Sequence, residues 1–155
     1  MYKRILVPVD GSAASTQGLD EAIDLASHLK ARLQLAHVIE PWVMVTPETI
    51  TATVHHAADV IRSVGRALLD ECAKKVATAG VEVDVELIET TGASAGEWII
   101  RMAGETKADL IVCGTHGRRG VRRLIMGSDA EYIVRRAPVP VLLVRHQEPG
   151  GGESV

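Results

Sequence analysis

Hydrophobic and polar positions along the chain switch repeatedly between a strand-like and a helical period. Residues 4 to 9, RILVPV, form an apolar run too short for a helix. Asp10-Gly11-Ser12 closes it, a turn signal that also offers a helix N-cap. From Ser12 to about Lys30, Leu19, Ala22, Ile23, Ala26 and Leu29 recur at spacings of three and four and share one helical face. RLQLAHVI, residues 32 to 39, alternates and then becomes continuously apolar, as a second buried strand does. Residues 40 to 54 carry two prolines and four threonines without a clean period and read as an irregular, functional loop.

A long stripe follows from His55 to Ala79, through Ala57, Val60, Ile61, Val64, Leu68, Cys72 and Val76, stopped by Gly80. Val81, Val83, Val85 and Leu87 alternate with acidic residues, the pattern of an edge strand with one wetter face. Ser94 to Glu97 forms a capping box that opens a helix. DLIVC, residues 109 to 113, reads as a buried strand, 128 to 136 as a helix, and 138 to 144 as a last strand entered through prolines. Five strands alternating with four helices predict an α/β fold, a five-stranded parallel doubly wound sheet with helices on both faces. Ligands of such sheets sit at the carboxyl ends of the strands, near the switch in strand order.

Composition agrees with this picture. Of 155 residues, 46% are hydrophobic but 3% aromatic, with no Phe, so the core is aliphatic and suits buried parallel strands. The net charge of −3 argues against whole-chain attraction to nucleic acid or an anionic membrane. No signal peptide or membrane span is read, and Cys72 and Cys113 lack metal-ligand spacing; free thiols fit a cytoplasmic location. Residues 1–147 read as one domain and 148–155 as a flexible tail.

Charge changes the picture locally. Residues 114 to 136 hold six arginines (118, 119, 122, 123, 135 and 136) against Asp129 and Glu131, a net +4 inside an acidic chain. Gly114, Gly117, Gly120 and Gly127 fall in the same stretch, before a helix start at Ser128. Glycines admit close approach of backbone N–H groups to an anion, and a helix N-terminus adds donors and a favourable dipole. A second reading stays open: the glycines shape a βα loop, and Ser128 to Glu131 is itself a capping box. Neither a GxxxxGK[ST] loop nor a GxGxxG fingerprint is present, and Asp10 lacks the acidic neighbour that a receiver domain requires.

The spacing Gly114-x2-Gly117-x9-Gly127-Ser128, with the flanks ILVPVDGS at 5–12, LAHVI at 35–39, ADLIVCGTHG at 108–117 and APVPVLLVR at 137–145, resembles the ATP-binding branch of the universal stress protein family over nearly the whole chain. The resemblance implies that Asp10 holds the ribose hydroxyls while Pro8 and Val9 line the adenine side; the residue-level alternative for Asp10 is a turn and cap. It implies that the backbone of Val38 meets the base and that Gly114, His116, Gly117, Gly127 and Ser128 hold phosphates, with Arg118, Asp129 and Ala130 completing the nucleotide-binding set.

Asp129 departs from the apolar residue that follows Gly-Ser in many nucleotide-binding relatives. A carboxylate in the first helical turn complements the dipole and also repels a phosphate. It either points outward or shares a divalent cation, Mg2+ or Mn2+, with the phosphates. The expected ligand is ATP, or ADP or AMP, bound by a stress-response regulator with at most slow hydrolysis, because no general base accompanies the loop. The alternative is a nucleotide-independent scaffold. The family also implies a homodimer through strand 139–144, an apolar edge.

Overall fold

A computed structural model describes residues 1–41, 52–115 and 126–146. Nine elements alternate: β1 (Arg4–Pro8), α1 (Ala13–Leu29), β2 (Arg32–Ile39), α2 (Ala52–Thr78), β3 (Val83–Glu89), α3 (Ala95–Glu105), β4 (Leu110–Gly114), α4 (Ser128–Arg136) and β5 (Val141–Val144). The strands form one all-parallel sheet of order β3-β2-β1-β4-β5. Successive strands run outward from β1 in one direction to β3, and in the other from β4 to β5. The strand order therefore reverses between β1 and β4.

Side-chain alternation sorts the core into two layers. Ile5 and Val7 of β1, Leu33 and Leu35 of β2, and Leu110 and Val112 of β4 pack with α1 and with Leu69 and Val76 of α2. The intervening Leu6, Ala36 and Ile111 pack with Ile99, Met102 and Ala103 of α3 and Ile133 of α4. Apart from the buried Gln34 and His37 of β2, the central strands are apolar on both faces because each face is roofed by helices. Aliphatic β-branched and leucine side chains fill both layers without a single phenylalanine.

Local signals set most boundaries. Ser12 caps α1, its Oγ accepting from the Ser15 amide at 3.1 Å. Ser94 and Glu97 form the expected capping box on α3. Gly80, at φ +75, ends α2 in the left-handed region that glycine adopts without strain. β3 is an edge strand, as its alternation implied, with Val85 exposed.

Four expectations change. α2 begins at Ala52, so residues 52–54 belong to a helix and not to the irregular segment. β3 covers 83–89, two residues later than the alternation suggested, because pairing to Leu33–Ile39 of β2 sets its register. β5 spans Val141–Val144 alone; Pro138 and Pro140 carry no amide for the ladder, although the Pro140 carbonyl accepts from the Ile111 amide at 3.0 Å. Ser128 is not the cap of α4: Gly127, in extended backbone and without a side chain to cap with, holds that position, and Ser128 is already its first helical residue. Glu131, instead of closing a capping box, pairs with Arg135 one turn on. Trp42, residues 42–51, the segment 116–125 and the tail 148–155 lie outside the described residues.

Candidate functional site

A cavity of about 850 Å3 opens at the carboxyl ends of β1, β2 and β4, on the switch in strand order. Its volume is that of a small-molecule site. Of the predicted site residues, Pro8, Val9, Asp10, Val38, Gly114, Gly127, Ser128, Asp129 and Ala130 all line it. They come from three strand ends and one helix start, far apart in sequence. His116, Gly117 and Arg118 lie outside the described residues.

The floor is built by hydrogen bonds between β1 and β2 just beyond their ladder. The Val9 amide donates to the Ala36 carbonyl at 2.8 Å. His37, buried on β2, donates from Nδ1 to the Val9 carbonyl at 2.7 Å, which fixes the ring as the Nδ1–H tautomer when neutral. Asp10 then leaves the strand in a turn: its Oδ1 accepts from the Ser12 amide at 2.8 Å, and its own amide donates to Ser15 Oγ at 3.1 Å. Gly11, at φ +80, makes the turn between the end of β1 and the start of α1. The turn-and-cap role of Asp10 is thus present in the hydrogen bonds, on a residue that also faces the cavity.

The far wall belongs to the start of α4. The Gly127 amide donates to the Thr115 carbonyl at 2.8 Å, so the ends of the arginine-bearing segment are pinned together at the cavity mouth. Among the described residues no side chain caps the first turn of α4, and its amide donors and the positive end of the helix dipole stand at the cavity. Gly114 has a different reason for being glycine. A Cβ there would lie 2.6 Å from the carbonyl carbon of Ala14, so α1 can sit against the end of β4 only if residue 114 lacks a side chain.

Sequence reasoning missed one wall. Ser94, Ala95 and Gly96, at the start of α3, also line the cavity, as do Ile61 of α2 and Cys113 of β4. The Ser94 capping box lies just after the third strand and so at the carboxyl end of the sheet, the one signal that could have drawn it in. The Asp129 Oδ1 accepts from the Gly96 amide at 2.9 Å, a placement in addition to the outward and cation-sharing ones expected. Burial pushes the Cys113 thiol up to about 12. The described lining carries the carboxylates of Asp10, Glu40 and Asp129 and no Lys or Arg. No group of three or more His, Cys, Asp or Glu among the described residues could hold a metal ion.

A sequence model of the universal stress protein family matches residues 1–145. The chain belongs to that family. Universal stress protein MJ0531 of Methanocaldococcus jannaschii is 33% identical over 147 residues, which cover 94% of this chain and 83% of the relative. The solved structure of the universal stress protein UspA from Lactobacillus plantarum superposes with a TM-score of 0.80 at 27% identity, covering 93% of this chain and 98% of that one. Two further family structures share the fold. One, at 24% identity and TM-score 0.68, covering 93% and 97% of the two chains, is a complex with cAMP. The other, from Arabidopsis thaliana, at 16% identity and TM-score 0.69, covering 96% and 97%, has AMP bound.

Among the described residues of this family member no helix is long and apolar enough to cross a membrane.

Proposed function

We propose that this universal stress protein binds an adenine nucleotide, ATP or its less charged relatives ADP and AMP, in the cavity at the carboxyl ends of β1, β2 and β4. One observation carries the reading: an uncapped helix N-terminus at Gly127-Ser128 faces the same cavity as the strand ends at Val9-Asp10 and Val38. The apolar strand ends suit the base, Asp10 suits the ribose hydroxyls, and the α4 amides suit a phosphate. Family structures with cAMP and AMP support the same ligand class. His116, Gly117 and Arg118 stand in the sequence between the pinned ends Thr115 and Gly127 and would add donors and positive charge.

The role that suits such a site is that of a cytoplasmic sensor or regulator whose hydrolysis is slow. Mg2+ or Mn2+ would enter with the nucleotide phosphates. The chain acts as a homodimer through the edge strand β5.

The test is the ligand itself. Protein purified without added nucleotide, denatured with acid and examined by mass spectrometry is expected to release an adenine nucleotide, and calorimetry on the stripped protein is expected to show stoichiometric rebinding. Gly117→Trp should abolish both. Retention by that variant at the wild-type level would remove the phosphate-loop assignment, and absence of any nucleotide and of rebinding would favour the scaffold reading.

A further inference from the structure

Two helix N-termini face the cavity, and they are not equivalent. On α3 two of the first-turn donors are already taken by the chain's own oxygens: the Glu97 amide donates to Ser94 Oγ at 3.2 Å and the Gly96 amide to Asp129 Oδ1 at 2.9 Å. On α4 the cap residue is Gly127, and no side chain of the described residues caps the first turn. A ligand anion entering this cavity therefore finds open helix donors at α4 and substituted ones at α3. The residue that makes the difference, Asp129, is itself the second helical residue of α4 and lines the cavity.

The contact is also close-packed. A Cβ at Gly96 would fall 3.1 Å from both the Asp129 carbonyl oxygen and the Tyr132 Cβ, so glycine at 96 is what lets the two helix starts approach. Asp129 is an exposed residue whose carboxylate is tethered at that junction by the Gly96 amide, next in sequence to Ser128. Asp10 and Glu40 also line the cavity, so its described lining holds three carboxylates. Each further negative charge on a phosphate chain held at α4 would be repelled by the Asp129 carboxylate, and because that residue is exposed the repulsion is reduced by salt.

We propose that Asp129 is a specificity-determining residue that sets phosphate number: its carboxylate, anchored on the Gly96 amide, disfavours ATP relative to AMP at this site. The inference rests on the nucleotide reading given above. It deepens that reading by assigning the selection among ligands to one side chain.

Asp129→Asn separates charge from structure, because the amide oxygen can still accept from Gly96 while the negative charge is gone. Asp129→Ala removes both. Affinities of AMP, ADP and ATP for wild type and both variants, measured by calorimetry in EDTA at low ionic strength, give the ratio of ATP to AMP binding. The arginine-bearing segment is common to all three proteins and cancels in the comparison.

The expected result is a rise in that ratio of about threefold to tenfold in Asp129→Asn, with the gain shrinking at high salt. A ratio within about twofold of wild type in Asp129→Asn overturns the proposal, and if Asp129→Ala alone changes it the residue is only a structural link between α3 and α4. Repeating the titration with Mg2+ tests the cation-sharing alternative: a selective loss of ATP affinity in Asp129→Asn overturns the repulsive role. If wild type and both variants bind none of the three nucleotides, the nucleotide reading falls together with this one. Binding with an unchanged ratio sinks this one alone.

Discussion

Gly114 and Ala14 meet backbone to backbone: a Cβ built on Gly114 would stand 2.6 Å from the Ala14 carbonyl carbon and 2.7 Å from its oxygen. No rotamer change relieves a clash with main chain. The end of β4 and the first turn of α1 are held at this spacing by a common core, to which Leu19 and Ala22 of α1 and Val112 of β4 all belong. The glycine of the phosphate-loop signature thus has a structural duty independent of any ligand.

Gly114→Ala is accordingly expected to destabilise the fold by about 1–3 kcal/mol through overpacking. Gly18→Ala, whose Cβ would lie 3.2 Å from the Gly114 amide nitrogen, is expected to cost less. Its clash is shallower and is offset by about 1 kcal/mol of helix propensity gained in α1. Urea unfolding of both variants checks the order. A Gly114→Ala protein as stable as wild type would show that α1 does not approach β4 this closely. For the same reason loss of nucleotide binding in a Gly114 variant says nothing about phosphate contact.

Arg62 of α2 forks onto Glu89 at the end of β3, Nε to Oε1 at 2.6 Å and Nη2 to Oε2 at 3.1 Å, and also reaches Asp59. The Arg62 hydrogen bond holds the Glu89 carboxyl below its usual range, helped by the nearby positive charges of Arg62 and Arg66. A depressed folded pKa contributes stability above the unfolded value, near 4.5, that is lost as pH falls through the folded one. Thermal unfolding of wild type and Glu89→Gln across pH 3 to 7 should therefore show a small difference at neutral pH that closes in acid and narrows in salt. A difference that persists in acid would rule out the ionic origin.

Burial raises the Cys113 thiol to about 12 from 9.0 and raises Cys72 by desolvation and the charge of Glu71, partly countered by Lys75. A thiol whose folded pKa is raised keeps its full contribution to stability below about pH 9 and loses it as pH climbs toward 12. At pH 8 an aromatic disulfide reagent should find Cys113 unreactive and Cys72 slow, and both should react in denaturant. Fast labelling of Cys113 in the native protein would mean that the end of β4 opens readily.

β5 is an edge of the sheet, and Leu142 on it is 37% exposed. An apolar, unpaired edge strand is the kind of surface that a second copy covers. Sedimentation at micromolar concentration is expected to give about twice the chain mass of 16.6 kDa for wild type and a mass near the monomer for Leu142→Lys. Wild type sedimenting as a monomer would refute the dimer.

The periodicities along the chain were enough for the number, kind and order of the nine elements and for the parallel sheet. Strand and helix have different repeats, and each run here is bounded by a turn or cap residue such as Ser12, Gly80 or Ser94. They also singled out strand ends as the place for a ligand, because parallel sheets put loops and helix starts there. Tertiary structure decided what no local pattern encodes. The strand order, which brings Val9, Val38 and Gly114 together, depends on which faces bury each other across the sheet. The start of α4 moved from a Ser128 cap to a Gly127 one because the Thr115 carbonyl fixes the Gly127 amide in extended backbone. The partner of Asp129, 33 residues back on Gly96, exists only because two helices converge, and long-range contact of this kind leaves no spacing in the sequence to read.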